Sequence, residues 1–125
     1  MYVLGGVFVL VGILGFIMPS PLLGLFAVDT MHNIVHLLSG ILAIWFAKMG
    51  PDKATMFAKV LGLVYLLVTI LGFLMVDSGS ILGLIHINST DNYLHLVLAI
   101  VLLYVGFGMG GSKPQSSNMS SGMPV

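Results

Sequence analysis

Few groups in this chain can hold a metal or move a proton: His32, His36, His86 and His95, with Asp29, Asp52, Asp77 and Asp91, and no Cys, Glu or Arg. Without cysteine there is no disulfide, no thiolate ligand and no Cys nucleophile. His32 and His36 are four residues apart and share one face of a helix, as do Asp91 and His95. His32, His36, Asp91 and His95 on two facing helices satisfy the ligand count of zinc or another divalent ion. His36 and His95 alone supply the axial pair of a haem. Asn33 and Asn92 lie beside them, so the candidate cluster is His32, Asn33, His36, Asp91, Asn92 and His95.

A second reading starts from the same positions. They fall in the first turns of two helices, where four amide N–H groups per helix lack internal partners. Asp29 or Thr30 can cap the first of these helices and Ser89 or Thr90 the second, and Asp91 gains from the helix dipole. The cluster then becomes a neutral hydrogen-bonded network, or a site for an anionic headgroup or carboxylate at the helix ends. The half positive charge at each helix N-terminus opposes a bound cation, and the network is preferred. His86 has Ala27 as its counterpart in the internal repeat described below, so it is read as incidental.

The elements that must position these groups are membrane helices. Of 125 residues, 58% are hydrophobic and 6% charged, and the mean hydropathy is +1.15. That leaves too little polar surface for a water-soluble domain and no basic stripe for nucleic acid. Residues 1–28, 30–47, 60–76 and 92–112 carry no Asp or Lys. These four stretches approach the roughly 20 residues that cross a hydrocarbon core. The third holds twelve Leu, Ile, Val or Phe between Val60 and Val76, which favours insertion by about 4–7 kcal/mol. Helix 1 is expected from Tyr2 to Met18, stopped by Pro19 and Pro21. Met1 lies against the apolar run with no basic lead, so a removable signal peptide is not expected. Lys48, Lys53, Lys59 and Lys113 put the helix 2–3 connection and both termini on the cytoplasmic side by the positive-inside rule.

The chain repeats. Ile13-Leu-Gly-Phe-Ile-Met18 recurs as Ile70-Leu-Gly-Phe-Leu-Met75 at an offset of 57. At an offset of 59, Leu23-Gly-Leu25 matches Leu82-Gly-Leu84, and Asn33, His36 and Leu37 match Asn92, His95 and Leu96. The fold class is therefore all-α: an integral membrane four-helix bundle of two tandem hairpins, about 1–50 and 55–111, within one domain 1–111. The pair is related by an axis along the membrane normal, which makes helices 2 and 4 equivalent. Gly5, Gly12 and Gly15 on helix 1, and Gly40, Ala43 and Ala47 on helix 2, are placed for close helix packing. Leu22–Val28 and Ile81–Ile87 are too short to span and read as interfacial or partly re-entrant. Residues 112–125, rich in Ser, Gly and Pro, are expected to form a disordered cytoplasmic tail.

With His32-Asn-Ile-Val-His-Leu-Leu-Ser-Gly40, Asp91-Asn-Tyr-Leu-His-Leu-Val-Leu98 and Val11-Gly-Ile-Leu-Gly-Phe16, residues 5–108 resemble a bacterial family of four-helix membrane proteins known only as a domain of unknown function. The resemblance implies a multi-pass protein of the bacterial inner (plasma) membrane, and carries over the six clustered residues as signature positions without roles. The reading of the whole is a non-enzymatic structural or accessory subunit, packing against itself or other membrane-protein subunits in the lipid bilayer. The alternative is binding of a metal, haem, small solute or lipid by the His/Asp cluster. No Glu, no Cys and no Asp near a span centre leave little to run an enzyme or a proton path.

Overall fold

Four helices dominate the computed structural model, which describes residues 1–108: α1 (Tyr2–Ile17), α2 (Thr30–Lys48), α3 (Pro51–Met75) and α4 (Ser89–Leu103). The tail expected at 112–125 lies outside the described residues. α3 runs on into a 3₁₀ turn, Val76–Ser78, and α4 into a π turn, Tyr104–Gly108. With these extensions, α2, α3 and α4 are long and apolar enough to cross a membrane. α1 is equally apolar but has 16 residues. At 1.5 Å per residue it covers about 24 Å of a core of roughly 30 Å. Only Met49 and Gly50 separate α2 from α3; Gly50 turns the chain at φ 114°, and Pro51 opens α3 at a position where its missing N–H costs nothing.

The two connections at the opposite end, expected as interfacial or partly re-entrant stretches, close as tight hairpins. Leu22 bridges Phe26 in the first; in the second, β1 (Ser80–Ile81) pairs antiparallel with β2 (Ile85–His86). Both turn through left-handed residues: Leu23 and Gly24 at φ 54° and 72°, Leu82 and Gly83 at φ 52° and 70°. Glycine takes that conformation freely, whereas a leucine pays about 1–2 kcal/mol. The same strained Leu-Gly pair stands at repeat-equivalent positions, so the sequence repeat is a repeat of backbone conformation.

α1 packs along α2 and α3 along α4, giving two helix pairs. Small residues set the approach. A Cβ placed on Gly40 would lie 2.6 Å from the Gly5 carbonyl oxygen and the Val9 nitrogen, and one on Gly12 would lie 2.9 Å from the Leu37 nitrogen. On Gly15 it would run into the Asn33 side chain, and on the equivalent Gly72 into that of Asn92. Each asparagine therefore lies directly on a glycine of its partner helix. Superposed on the fold, the offset of 57 extends upstream to Leu4 and Leu61, with ten of fifteen residues identical through Met18 and Met75. That register makes Phe8 the mate of Tyr65. The two rings meet with centroids 5.3 Å apart, and with Leu61, Ala99 and Leu102 they form the buried join between the hairpins. The outward faces remain apolar, with Leu67, Leu74 and Ile100 each more than half exposed. A lipid environment demands such faces, because it offers polar groups no partner.

Gly40→Ala forces backbone apart and is expected to destabilise the protein in detergent by about 1–3 kcal/mol. A methyl group added at Gly6 would have nothing within 4 Å, so Gly6→Ala should be neutral or stabilising by up to about 1 kcal/mol. Equal thermal unfolding curves for the two variants would refute the close crossing of α1 and α2.

Candidate functional site

The polar residues at the starts of α2 and α4 form a rim above a core. On the rim, Asp29 caps α2: its Oδ1 accepts the His32 N–H at 2.8 Å, and its Oδ2 accepts the His86 N–H from the other hairpin at 3.2 Å. The cap of α4 is Asn88, not Ser89 or Thr90 as expected. Asn88 Oδ1 accepts the Asp91 N–H at 2.9 Å, while Asp91 Oδ2 accepts the Asn88 N–H at 2.8 Å. This reciprocal capping box satisfies two amides at once, which a Ser or Thr cap one residue later would forgo. Asp91 Oδ2 also accepts the Ala27 N–H at 3.0 Å, and Asn88 Nδ2 donates to the Leu25 carbonyl at 2.9 Å. Four hydrogen bonds thus cross between hairpins once the ring of His32 is included.

That ring links rim to core. His32 Nδ1 lies 2.9 Å from the His86 carbonyl oxygen. A carbonyl only accepts, so Nδ1 carries the proton, and the neutral ring presents Nε2 as a lone pair. Below it stand His36 and His95, the repeat-equivalent pair, stacked with centroids 5.9 Å apart and planes 28° apart. His32 sits 4.9 Å from the first ring and 5.5 Å from the second. The three are at most 4% exposed, and one ring nitrogen from each lies within 4.8 Å of the others. A tetrahedral zinc ion, with Zn–N about 2.0–2.1 Å, holds its nitrogens roughly 3.3 Å apart, so the three would draw in by up to about 1.5 Å to share it.

All six candidate residues are buried, at 5% exposure or less. Three of the four candidate ligands, His32, His36 and His95, converge. Asp91 does not join that group; its carboxylate is used by two backbone amides. It still serves the electrostatics, because Asp29 and Asp91 place a carboxylate at the positive end of each helix and offset the half-charges that oppose a cation. Asn33 and Asn92 face the glycines rather than the imidazoles. The His86 side chain is exposed, and only its backbone takes part. Cavities of about 80 and 60 Å³ flank the cluster, each lined partly by its histidines. They hold a few water-sized molecules and cannot take a tetrapyrrole, so the haem expectation does not fit.

Two residues absent from the sequence-derived cluster belong to the site. Tyr65 meets the rings of His36 and His95 edge-on, with centroids 6.2 and 5.6 Å away, and with Ser39 it lines the 60 Å³ cavity. The repeat carried upstream would have found Tyr65 opposite Phe8. Buried with no hydrogen-bond partner are His36 Nδ1, His95 Nδ1, the Tyr65 hydroxyl and both polar atoms of the Asn92 side chain. Each such atom costs about 1–3 kcal/mol while unmatched.

Residues 1–108 match the profile of one protein family, described as Domain of unknown function (DUF4383). No curated protein and no solved structure is significantly similar to the chain.

Asp91→Ala removes the acceptor for the Ala27 and Asn88 amides and should cost about 3 kcal/mol of stability in detergent. Asp77 is exposed, and Asp77→Ala should stay within about 0.5 kcal/mol of the parent. Similar melting of the two variants would remove Asp91 from its role in joining the hairpins.

Proposed function

We propose that this chain, which belongs to the DUF4383 family, is a membrane protein that binds a first-row transition-metal ion through His32, His36 and His95. The observation that carries the reading is the convergence of three buried imidazole nitrogens within 4.8 Å. Imidazole suits Zn, Cu, Fe and Ni, and a set of three protein ligands leaves one position open. The His32 Nδ1–H bond to the His86 carbonyl is the kind of outer support that orients a metal-ligating histidine and fixes which nitrogen binds. The role is binding rather than catalysis. By the positive-inside rule, the lysines beside the α2–α3 connection support a reading in which that end and both termini face the cytoplasm from the inner membrane, with the metal towards the outer face.

A second reading keeps the rim and dispenses with the ion. The chain is then a structural or accessory subunit of a membrane complex or homo-oligomer, its imidazoles hydrated by a few buried waters. The four hydrogen bonds between hairpins favour it, since they need no metal.

Metal content separates the two. Protein purified after growth with supplemented Zn, Cu, Fe and Ni should carry one equivalent of metal and no Soret absorbance. His32→Ala, His36→Ala and His95→Ala should each lose the metal, and His86→Ala should keep it. Substoichiometric metal indifferent to all four substitutions would overturn the metal reading and leave the structural one.

A further inference from the structure

The bundle is a symmetric frame with an asymmetric lining. Across the repeat, His36 matches His95 and Asn33 matches Asn92, but Tyr65 stands where the first hairpin has Phe8, Ser39 where the second has Leu98, and His32 where the second has Asp91. These three side chains line the same cavity, and Ser39 and Tyr65 line it without also lining the cavity on the opposite seam. It lies between α2, α3 and β2, has a volume of about 60 Å³, and is lined by the three histidines, Ser39 and Tyr65. Its mate on the opposite seam, about 80 Å³, has leucine, valine and phenylalanine walls and only His32, His36 and Asp91 as polar groups. Val35 and Val64 line the first cavity and are 38% and 47% exposed, so it opens between α2 and α3. Ile85 of β2 also lines it, which puts it at the hairpin end of the bundle.

We infer that this cavity admits a small inorganic anion to the open coordination position of the metal, with the Tyr65 hydroxyl donating a hydrogen bond to it. The inference rests on the metal-binding reading above. Three neutral imidazoles leave a divalent charge uncompensated in an apolar setting, where an unpaired charge is costly. Neither nearby carboxylate joins the converging ligand atoms; each accepts two backbone amides instead. An anion in the fourth position offsets part of that charge. Tyr65 is 3% exposed, and its hydroxyl, with Ser39 as its polar neighbour, makes no hydrogen bond of full geometry among the described residues. A donor buried at that cost is explained if it serves the occupant of the cavity.

Cobalt(II) as the metal and azide as the anion test this. Titrating azide into the Co(II)-loaded protein in detergent should change the visible d–d bands saturably. Tyr65→Phe restores the residue type of the first hairpin and so should fold; it should bind Co(II) normally and azide at least tenfold more weakly, with Ser39→Ala as a second variant showing a smaller loss. Bound Co(II) whose spectrum ignores azide would overturn the inference and leave the metal reading standing, as would equal azide affinity in wild type and Tyr65→Phe for the role of the hydroxyl. Failure to take up Co(II) at all would overturn the metal reading and this inference with it.

Discussion

One carboxylate decides how the two hairpins meet. Asp91 Oδ2 accepts an amide from its own helix cap and another from Ala27 of the other hairpin. Both bonds are part-buried, and an amide left unmatched there costs about 1–3 kcal/mol, so the bond is as much a requirement as a preference. Asp29 answers from the other side by capping α2 and accepting the His86 amide. Between them the carboxylates set the relative position of α2 and α4, and that position brings His36 and His95 face to face. An interaction at the rim thereby determines the geometry of the core.

Within each hairpin the corresponding constraint is the contact of asparagine with glycine. Asn33 lies on Gly15 and Asn92 on Gly72, which brings the helices of each pair close and turns the next face of α2 and α4, carrying the histidines, towards the shared axis. Phe8 and Tyr65 floor the site at equivalent positions, each with a ring centroid 5.6 Å from the histidine of its own hairpin. A duplicated frame built this way holds one site on its axis, and single substitutions in either copy bias that site to one side. His32, Ser39 and Tyr65 are such substitutions.

Much of this is legible in the chain. The apolar runs, the offsets of 57 and 59 and the His-x-x-x-His spacing place the helices and bring six residues to one end, because hydrophobic length and helical period act locally. Contacts that depend on how the hairpins dock are not legible. Nothing local distinguishes Asn88 from Ser89 as a cap; the choice follows from Asp91 returning to the Asn88 amide. Asp91 resembles a metal ligand by spacing, yet backbone from 64 residues away claims it. The Leu-Gly turns are legible only as short stretches, interfacial or partly re-entrant, because hydropathy says nothing of the left-handed backbone that closes each hairpin. Tyr65, in the middle of an apolar run, resembles core, and only the placing of its ring and hydroxyl beside the imidazoles and Ser39 sets it apart.

The central claim is that three imidazoles share one ion, and X-ray absorption at the metal edge of the zinc-loaded protein tests it most directly. The account predicts about three imidazole nitrogens at roughly 2.0–2.1 Å with one further, non-histidine neighbour. A shell of oxygen alone, or one that is unchanged in His36→Ala, would contradict it.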